Sequence, residues 1–232
     1  MATAIITGGS LGLGRALTGA LRDLGWHVVV DGRRPEPLAA VAGDGVTAVA
    51  GDVTDPGHRA ALLAAAAGPV DLLVNNASTI GPSPMPALAD FPLDQWRRVY
   101  EVNVVAPLAL IQAALAALAP GGAVVNITSD AAVEAYEGWG GYGSAKAALE
   151  QVGAILAAEL AGSRPDVRVY TVDPGDMRTE LHQAAFPGED IADRPEPEVS
   201  VPGLLALILG DRPSGRYAAR DVAAVPGAGV PA

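Results

Sequence analysis

Tyr142 and Lys146 stand four residues apart in Tyr142-Gly143-Ser144-Ala145-Lys146, at the start of a helical run. That spacing puts both side chains on one helix face, one turn apart. An ammonium beside a phenol favours phenolate and draws its pKa of about 10 toward the working range of a general acid or base. Tyr-x-x-x-Lys is common by chance, but Lys146 is the one lysine among 15 cationic residues, the other 14 being arginine.

A second group of residues suits phosphate chemistry. Thr7-Gly8-Gly9-Ser10-Leu11-Gly12-Leu13-Gly14 joins an apolar run to a helical stripe. Glycines at 8, 12 and 14 let the backbone turn sharply and bring a helix N-terminus, with its free N–H groups, against a pyrophosphate. Two other patterns overlap this stretch. Gly8-Gly9-Ser10-Leu11-Gly12 fits the nucleophile elbow of a hydrolase, but only seven residues precede it, and of His27, His58 and His182 only His182 stands late enough to serve as the base. A phosphate-binding loop of the nucleotide-hydrolase type fails, because Arg15-Ala16 stands where a lysine and a hydroxyl are needed. Further on, Asp31-Gly32-Arg33-Arg34 lies where a dinucleotide fold reads the adenosine ribose: an acid accepts from a 2′-hydroxyl, an arginine pairs with a 2′-phosphate, and both are present.

These residues need a scaffold, and the hydrophobic pattern supplies one. Short apolar runs at Thr3–Ile6, His27–Val30, Val46–Ala50, Val70–Val74, Ala123–Ile127 and Val167–Val172 read as buried parallel strands. Between the first two, Leu13, Ala16, Leu17, Ala20, Leu21 and Leu24 form a helical stripe stopped by Gly25. Repetition of this βαβ unit predicts an α/β, doubly wound sheet with helices on both faces, in a single dinucleotide-binding domain over 1–232. Helices over about Val99–Ala119 and Tyr142–Ala161 are apolar all round, so they bury both sides, within the monomer or against a second subunit. The Pro- and Gly-rich stretch Glu180–Pro202 reads as a long functional or disordered loop.

Composition narrows the partners. Against 26 acids, the 15 cations leave a net charge of −11, which repels nucleic-acid backbones and anionic lipid. The uncharged stretch Val102–Ser129 is broken by Pro107 and Pro120-Gly121-Gly122 and reads as buried, not membrane-spanning. With no cysteine there is no thiolate nucleophile or thiolate metal site, and no metal is expected. Lacking a basic n-region, the N-terminus does not resemble an export signal, so a cytoplasmic protein with a small-molecule substrate is expected.

Taken in order, the motifs resemble those of the short-chain dehydrogenase/reductase family, in its shorter single-domain branch, over essentially the whole chain. Thr7 to Gly14, with Ser10 and Leu13 inside the turn, match its T-G-x-x-x-G-x-G cofactor segment. Asp52-Val53 match its adenine-contacting pair, and Asn75-Asn76-Ala77-Ser78 resembles its Asn-Asn-Ala-Gly segment, departing at Ser78. Asn103 sits at its helix asparagine, Ser129 lies 13 residues before Tyr142 as its serine does, and Pro174-Gly175 with Thr179 match its nicotinamide segment.

The resemblance implies a Rossmann-type sheet of about seven strands, the last near Gly215–Ala219, with 177–202 covering the substrate. It also implies a catalytic set. Tyr142 passes a proton to a carbonyl oxygen as nicotinamide delivers hydride, Ser129 holds that oxygen, Lys146 lowers the tyrosine pKa and binds the nicotinamide ribose, and Asn103 anchors a water leading protons out. Asp130 and Glu134 face either the substrate or solvent. In the family an acid at the position of Gly32 marks NAD and an arginine at that of Arg33 marks NADP, so NADP(H) is the preferred cofactor, with Arg33 and Arg34 as its readers and NAD(H) possible. Arg15, Arg33, Arg34 and Lys146 are expected to gather at one cleft. A homodimer or homotetramer is implied, its contacts made by the two apolar helices. The rival readings are a nucleotide-sensing regulator that binds NAD(P) without chemistry, and the extended epimerase branch, disfavoured by glycine spacing and the lack of a C-terminal substrate domain.

Overall fold

The computed structural model describes residues 1–223; residues 224–232 of the expected domain lie outside the described residues. Seven strands, β1 (Thr3–Ile6), β2 (His27–Gly32), β3 (Val46–Ala50), β4 (Val70–Asn75), β5 (Leu118–Ile127), β6 (Arg168–Asp173) and β7 (Gly215–Ala218), form one sheet. Their order is β3-β2-β1-β4-β5-β6-β7, and every neighbouring pair is parallel. The helices are α1 (Gly12–Asp23), α2 (Pro35–Val41), α3 (Pro56–Ala65), α4 (Leu93–Tyr100), α5 (Ala106–Ala114), α6 (Gly140–Ser163), α7 (Glu180–Ala185) and α8 (Val201–Leu209).

Alternation along each strand explains the unbroken apolar runs, since successive side chains point to opposite faces and both faces are covered. Ala4, Ile6, Val28, Val30, Leu72 and Val74 pack with Leu13, Leu17 and Leu21 of α1 and Leu204 and Leu207 of α8. Ile5, Val29, Leu73 and Val124 pack with Leu62 of α3, Leu110 and Ile111 of α5 and Leu160 of α6. Chain order reverses at β1, which has β2 on one side and β4 on the other, so a crevice opens at the carboxyl ends of these strands.

Several boundaries differ from the sequence reading. The helix expected over Val99–Ala119 begins at Leu93 and ends at Ala114, because the Val70 N–H donates to the Ala117 carbonyl and draws the next residues into β5. Within it, Glu101–Val105 form a π-helical turn ahead of Pro107, which has no N–H to offer the preceding turn. The stretch Glu180–Pro202 is not a structureless loop. Thr179 caps α7 by accepting the His182 N–H at 3.1 Å, and Leu181, Ala184 and Ala185 pack against the cluster of Ile80, Ala131 and Tyr142. A six-residue helix is too short to show a periodic pattern. Within one chain neither apolar helix buries all its sides: Val105, Leu108 and Ile155 are exposed.

Candidate active site

The first strand delivers the glycine turn to the crevice, and close packing dictates its residue types. Gly8 and Gly12 have positive φ of 65° and 50°, which a side chain would strain. A Cβ on Gly14 would stand 2.3 Å from the Gly8 carbonyl oxygen, so only glycine lets α1 approach β1 this closely. Side chains then lock the turn. Thr7 Oγ1 accepts from the N–H groups of Asn76 and Ala77, both at 3.0 Å, Asn76 Nδ2 donates to the carbonyls of Thr7 and Gly8, and Asp31 Oδ1 accepts the Gly8 N–H at 2.5 Å. This cradle of glycine backbone at a helix N-terminus fits a dinucleotide pyrophosphate.

A cleft of about 900 Å³ runs from this turn to α7. Gly8, Ser10, Gly12, Leu13, Arg33, Arg34, Asp52, Val53, Asn76, Ala77, Ser129, Tyr142, Lys146, Pro174, Gly175 and Thr179 all line it. Thr7, Gly14 and Asn103 do not: the first two build the turn from behind, and Asn103 is fully buried. Its Oδ1 accepts from Thr79 N–H at 2.9 Å and from Ser78 Oγ at 3.2 Å, while its Nδ2 donates to the Thr79 carbonyl.

At the adenosine end, Asp31 lines the cleft with its carboxylate already engaged by the Gly8 N–H. Its second oxygen meets His58 Nε2 at 3.0 Å, with both side chains buried. A Cβ on Gly32 would come within 2.6 Å of Ser10 Oγ, so a side chain there would require that hydroxyl to turn aside. Among the described residues Arg33 has no ion-pair partner, whereas Arg34 reaches Glu180 of α7 at 2.7 Å. Arg15 is exposed on α1 and is not in the lining, contrary to the expected cluster, because its helical position turns it away from the stripe that meets the sheet. Arg98 of α4 takes a place there instead. It donates to Asp52 Oδ2 at 2.6 Å across 46 residues of chain, a pairing no local pattern announces. Burial works against the Asp52 charge, but hydrogen bonds from Thr54 and the Arg98 guanidinium outweigh it and hold the carboxyl at about 2.

At the other end, the first turn of α6 carries Tyr142 and Lys146 into the cleft floor. Lys146 is 2% exposed, its Nζ donates to the Ile127 carbonyl at 2.8 Å and lies 5.4 Å from the centre of the Tyr142 ring. Burial dominates both groups. It pushes the phenol above its ordinary value and pulls the ammonium down to about 7. Burial of the phenol thus outweighs the lowering expected from Lys146, whose own charge is disfavoured in the desolvated floor. The hydroxyls of Ser78 and Ser129 beside the phenol favour the phenolate, while Asp173 and Asp130 oppose it. Ser129 Oγ donates to Asp130 Oδ1 at 2.8 Å, so Asp130 faces the site, whereas Glu134 is exposed and meets Tyr136 outside. Burial of Asp130 is outweighed by hydrogen bonds from Ser129, Tyr136 and the Ala131 N–H, which keep its carboxyl below the usual range.

Thr79, Ile80 and Trp139, which the sequence reading passed over, complete the wall together with Met177 and His182 of the expected covering segment. Of the three, Thr79 and Ile80 follow the end of β4, the one signal that could have found them. The hydrolase pattern fails in three dimensions, since His58 is held by Asp31, His182 lies against Asp176 and Phe186, and neither hydrogen-bonds Ser10.

A cleft at the strand reversal, with a glycine cradle at one end and a buried tyrosine–lysine pair at the other, defines a dinucleotide-dependent oxidoreductase of the doubly wound class. Residues 2–190 match the short chain dehydrogenase family model, and the protein belongs to that family. It is 36% identical over 211 residues to an uncharacterized oxidoreductase of Mycobacterium tuberculosis, covering 90% of this chain and 80% of that one. It is 36% identical over 187 residues to serine 3-dehydrogenase of Agrobacterium fabrum, covering 77% and 73%. A solved structure from Escherichia coli CFT073, complexed with NADPH, superposes with a TM-score of 0.82 at 27% identity, covering 94% of this chain and 96% of that one.

The lysine makes a stability prediction. Its folded value of about 7 lies below the ordinary 10.5, so between these values the unfolded chain holds the proton and the folded chain does not, and stability rises with pH through that window. Lys146→Met removes this slope. The melting temperature of Lys146→Met minus that of the wild type is expected to fall by about 4 to 8 °C from pH 7 to pH 9, on the order of 2 kcal/mol. A difference that is constant over this range would show that the amine is not desolvated.

Proposed function

We propose that the protein is an NADP(H)-preferring oxidoreductase that interconverts a carbonyl and a secondary alcohol. The observation that carries this reading is the convergence of Ser129, Tyr142 and Lys146 on the floor of the cleft whose far end is the glycine cradle. When bound, the nicotinamide supplies hydride in one direction and takes it up in the other. In reduction Tyr142 passes its Oη proton to the carbonyl oxygen, and in oxidation its phenolate takes the proton back. Ser129 turns its hydroxyl from Asp130 toward that oxygen. Lys146 uses one donor on Ile127, leaving two of the three on an ammonium for a ribose hydroxyl and for favouring the phenolate. Asn103 anchors the water through which protons leave, a duty for its backbone because Ser78 and Thr79 occupy its side chain. Asp52 and Val53 hold the adenine, and Pro174, Gly175 and Thr179 the nicotinamide, while 177–202 covers the substrate.

Two features support NADP(H): the committed Asp31 carboxylate, and the exposed Arg33, which has no ion-pair partner among the described residues. The NADPH held by the Escherichia coli structure agrees with it. The exposed apolar residues of the π turn, α5 and α6, which are Val105, Leu108 and Ile155, support a homodimer or homotetramer.

Tyr142→Phe is expected to reduce NADPH-dependent turnover of a ketone, aldehyde and quinone panel by at least about 10²-fold while NADPH binding stays within a few-fold. Retained turnover refutes the proton donor. Arg33→Ala is expected to weaken NADPH about tenfold or more and NADH little, measured by titrating cofactor fluorescence, with equal loss overturning the preference. Light scattering should give a mass at least twice the 23.3 kDa of one chain; a monomer would contradict the assembly.

A further inference from the structure

We propose that Asp130 is a specificity-determining residue and that the substrate carries an ammonium on the carbon next to the reacting one, so that the protein interconverts vicinal amino alcohols and α-amino ketones. This rests on the reading of the protein as an oxidoreductase with Ser129 at the reacting oxygen.

Six acids line the cleft: Asp31, Asp52, Asp130, Asp173, Asp176 and Glu180. Five of them have a basic side chain beside them. Asp31 meets His58 at 3.0 Å, Asp52 meets Arg98 at 2.6 Å, Asp173 meets Arg216 at 3.7 Å, Asp176 meets Arg194 at 3.6 Å and Glu180 meets Arg34 at 2.7 Å. Asp130 has no ion-pair partner among the described residues, and 224–232 contain no basic side chain. Arg220 favours its charge without pairing with it. Burial works against this carboxylate, but hydrogen bonds from Ser129, Tyr136 and the Ala131 N–H outweigh it and keep it ionised. A half-buried charge with no counter-charge in the protein is costly, and a cationic ligand removes that cost.

Geometry sets where the cation sits. Ser129 Oγ donates to Asp130 Oδ1 at 2.8 Å. A substrate oxygen bonded to the same Oγ, at the bent angle of a hydroxyl, stands about 4.5 Å from that carboxylate oxygen. A gauche vicinal ammonium, about 3 Å from its own oxygen, spans the gap. A carboxylate accepts about four hydrogen bonds. Oδ1 takes those of Ser129 and Ala131, whereas Oδ2 has the Tyr136 hydroxyl at 3.0 Å, whose single proton Glu134 also faces at 2.9 Å. When Ser129 turns its proton to a carbonyl oxygen, Asp130 loses a donor that the ammonium replaces. Trp139 lines the same end, its ring 5.8 Å from that of Tyr142, and an indole face suits a cation. The ammonium takes no part in the chemistry: in reduction hydride from NADPH adds to the carbonyl carbon, the Tyr142 proton goes to the oxygen, and the nitrogen is unchanged.

The test uses pairs of alcohols in which an ammonium replaces a methyl, 1-amino-2-propanol with 2-butanol and 2-amino-1-phenylethanol with 1-phenyl-1-propanol, at about pH 7, where the amine is protonated. On enzyme saturated with NADPH, where an alcohol binds without being oxidised, calorimetry should show the ammonium member of a pair binding about tenfold or more tighter than its neutral mate, and Asp130→Asn should bring the two level. In NADP⁺-dependent oxidation the ratio of kcat/KM for the ammonium member to that for the neutral one should fall by the same factor in Asp130→Asn. An effect of the substitution on Ser129, or on the cationic ring of NADP⁺, moves both members alike and cancels from the ratio. Equal or unmeasurable affinities within both pairs in the wild type, or a ratio that Asp130→Asn leaves unmoved, overturn the inference. Turnover absent from every alcohol while the affinity difference stands sinks the oxidoreductase reading alone.

Discussion

The crevice opened by the reversal of strand order keeps its shape because the ends of β1 and β4 are tied to each other by side chains. Parallel strands added outward on either side of β1 are joined by no hairpin at their carboxyl ends, and the backbone groups there need partners. Thr7 and Asn76 supply them by bonding each other's backbone across the gap, while Asp31 takes the Gly8 N–H from the β2 side. This clasp sets the path of the glycine turn. The turn in turn lets α1 lie close enough for Leu13, Leu17 and Leu21 to join the core.

The clasp separates residues that look alike in sequence. Asp31 and Arg33 are both charged residues at a strand end and both line the cleft, yet Asp31 is buried against His58 and Arg33 is exposed. The acidic net charge likewise says little about the site, because Arg33, Arg34 and Arg98 line one end while Asp130 and Asp173 line the other. Electrostatics here are local, set by which groups share a low-dielectric wall. The floor shows the same rule in its strongest form, where burial moves Tyr142 and Lys146 toward neutrality from opposite sides.

Much of this was legible beforehand. β1 and β3 have the bounds their apolar runs suggested, and α1 runs along the stripe that Gly25 ends, because a strand or helix buried in a two-faced sheet must carry its period in the chain. Ser129, Tyr142 and Lys146 do meet. Other features were invisible for equally physical reasons. The six residues of α7 are held by a cap and by packing on Ile80, Ala131 and Tyr142, and Arg98 reaches Asp52 from a different helix.

By itself the sequence determined the doubly wound sheet, the glycine turn and the family, since each depends on local period or on residues close in the chain. Only the tertiary structure decided that Asp31 is spent on the turn, that burial raises the Tyr142 phenol despite the lysine, and that Ser78 reaches Asn103. Those outcomes depend on which groups the fold removes from water together. Desolvation and hydrogen-bond geometry are properties of the packed crevice and have no period along the chain.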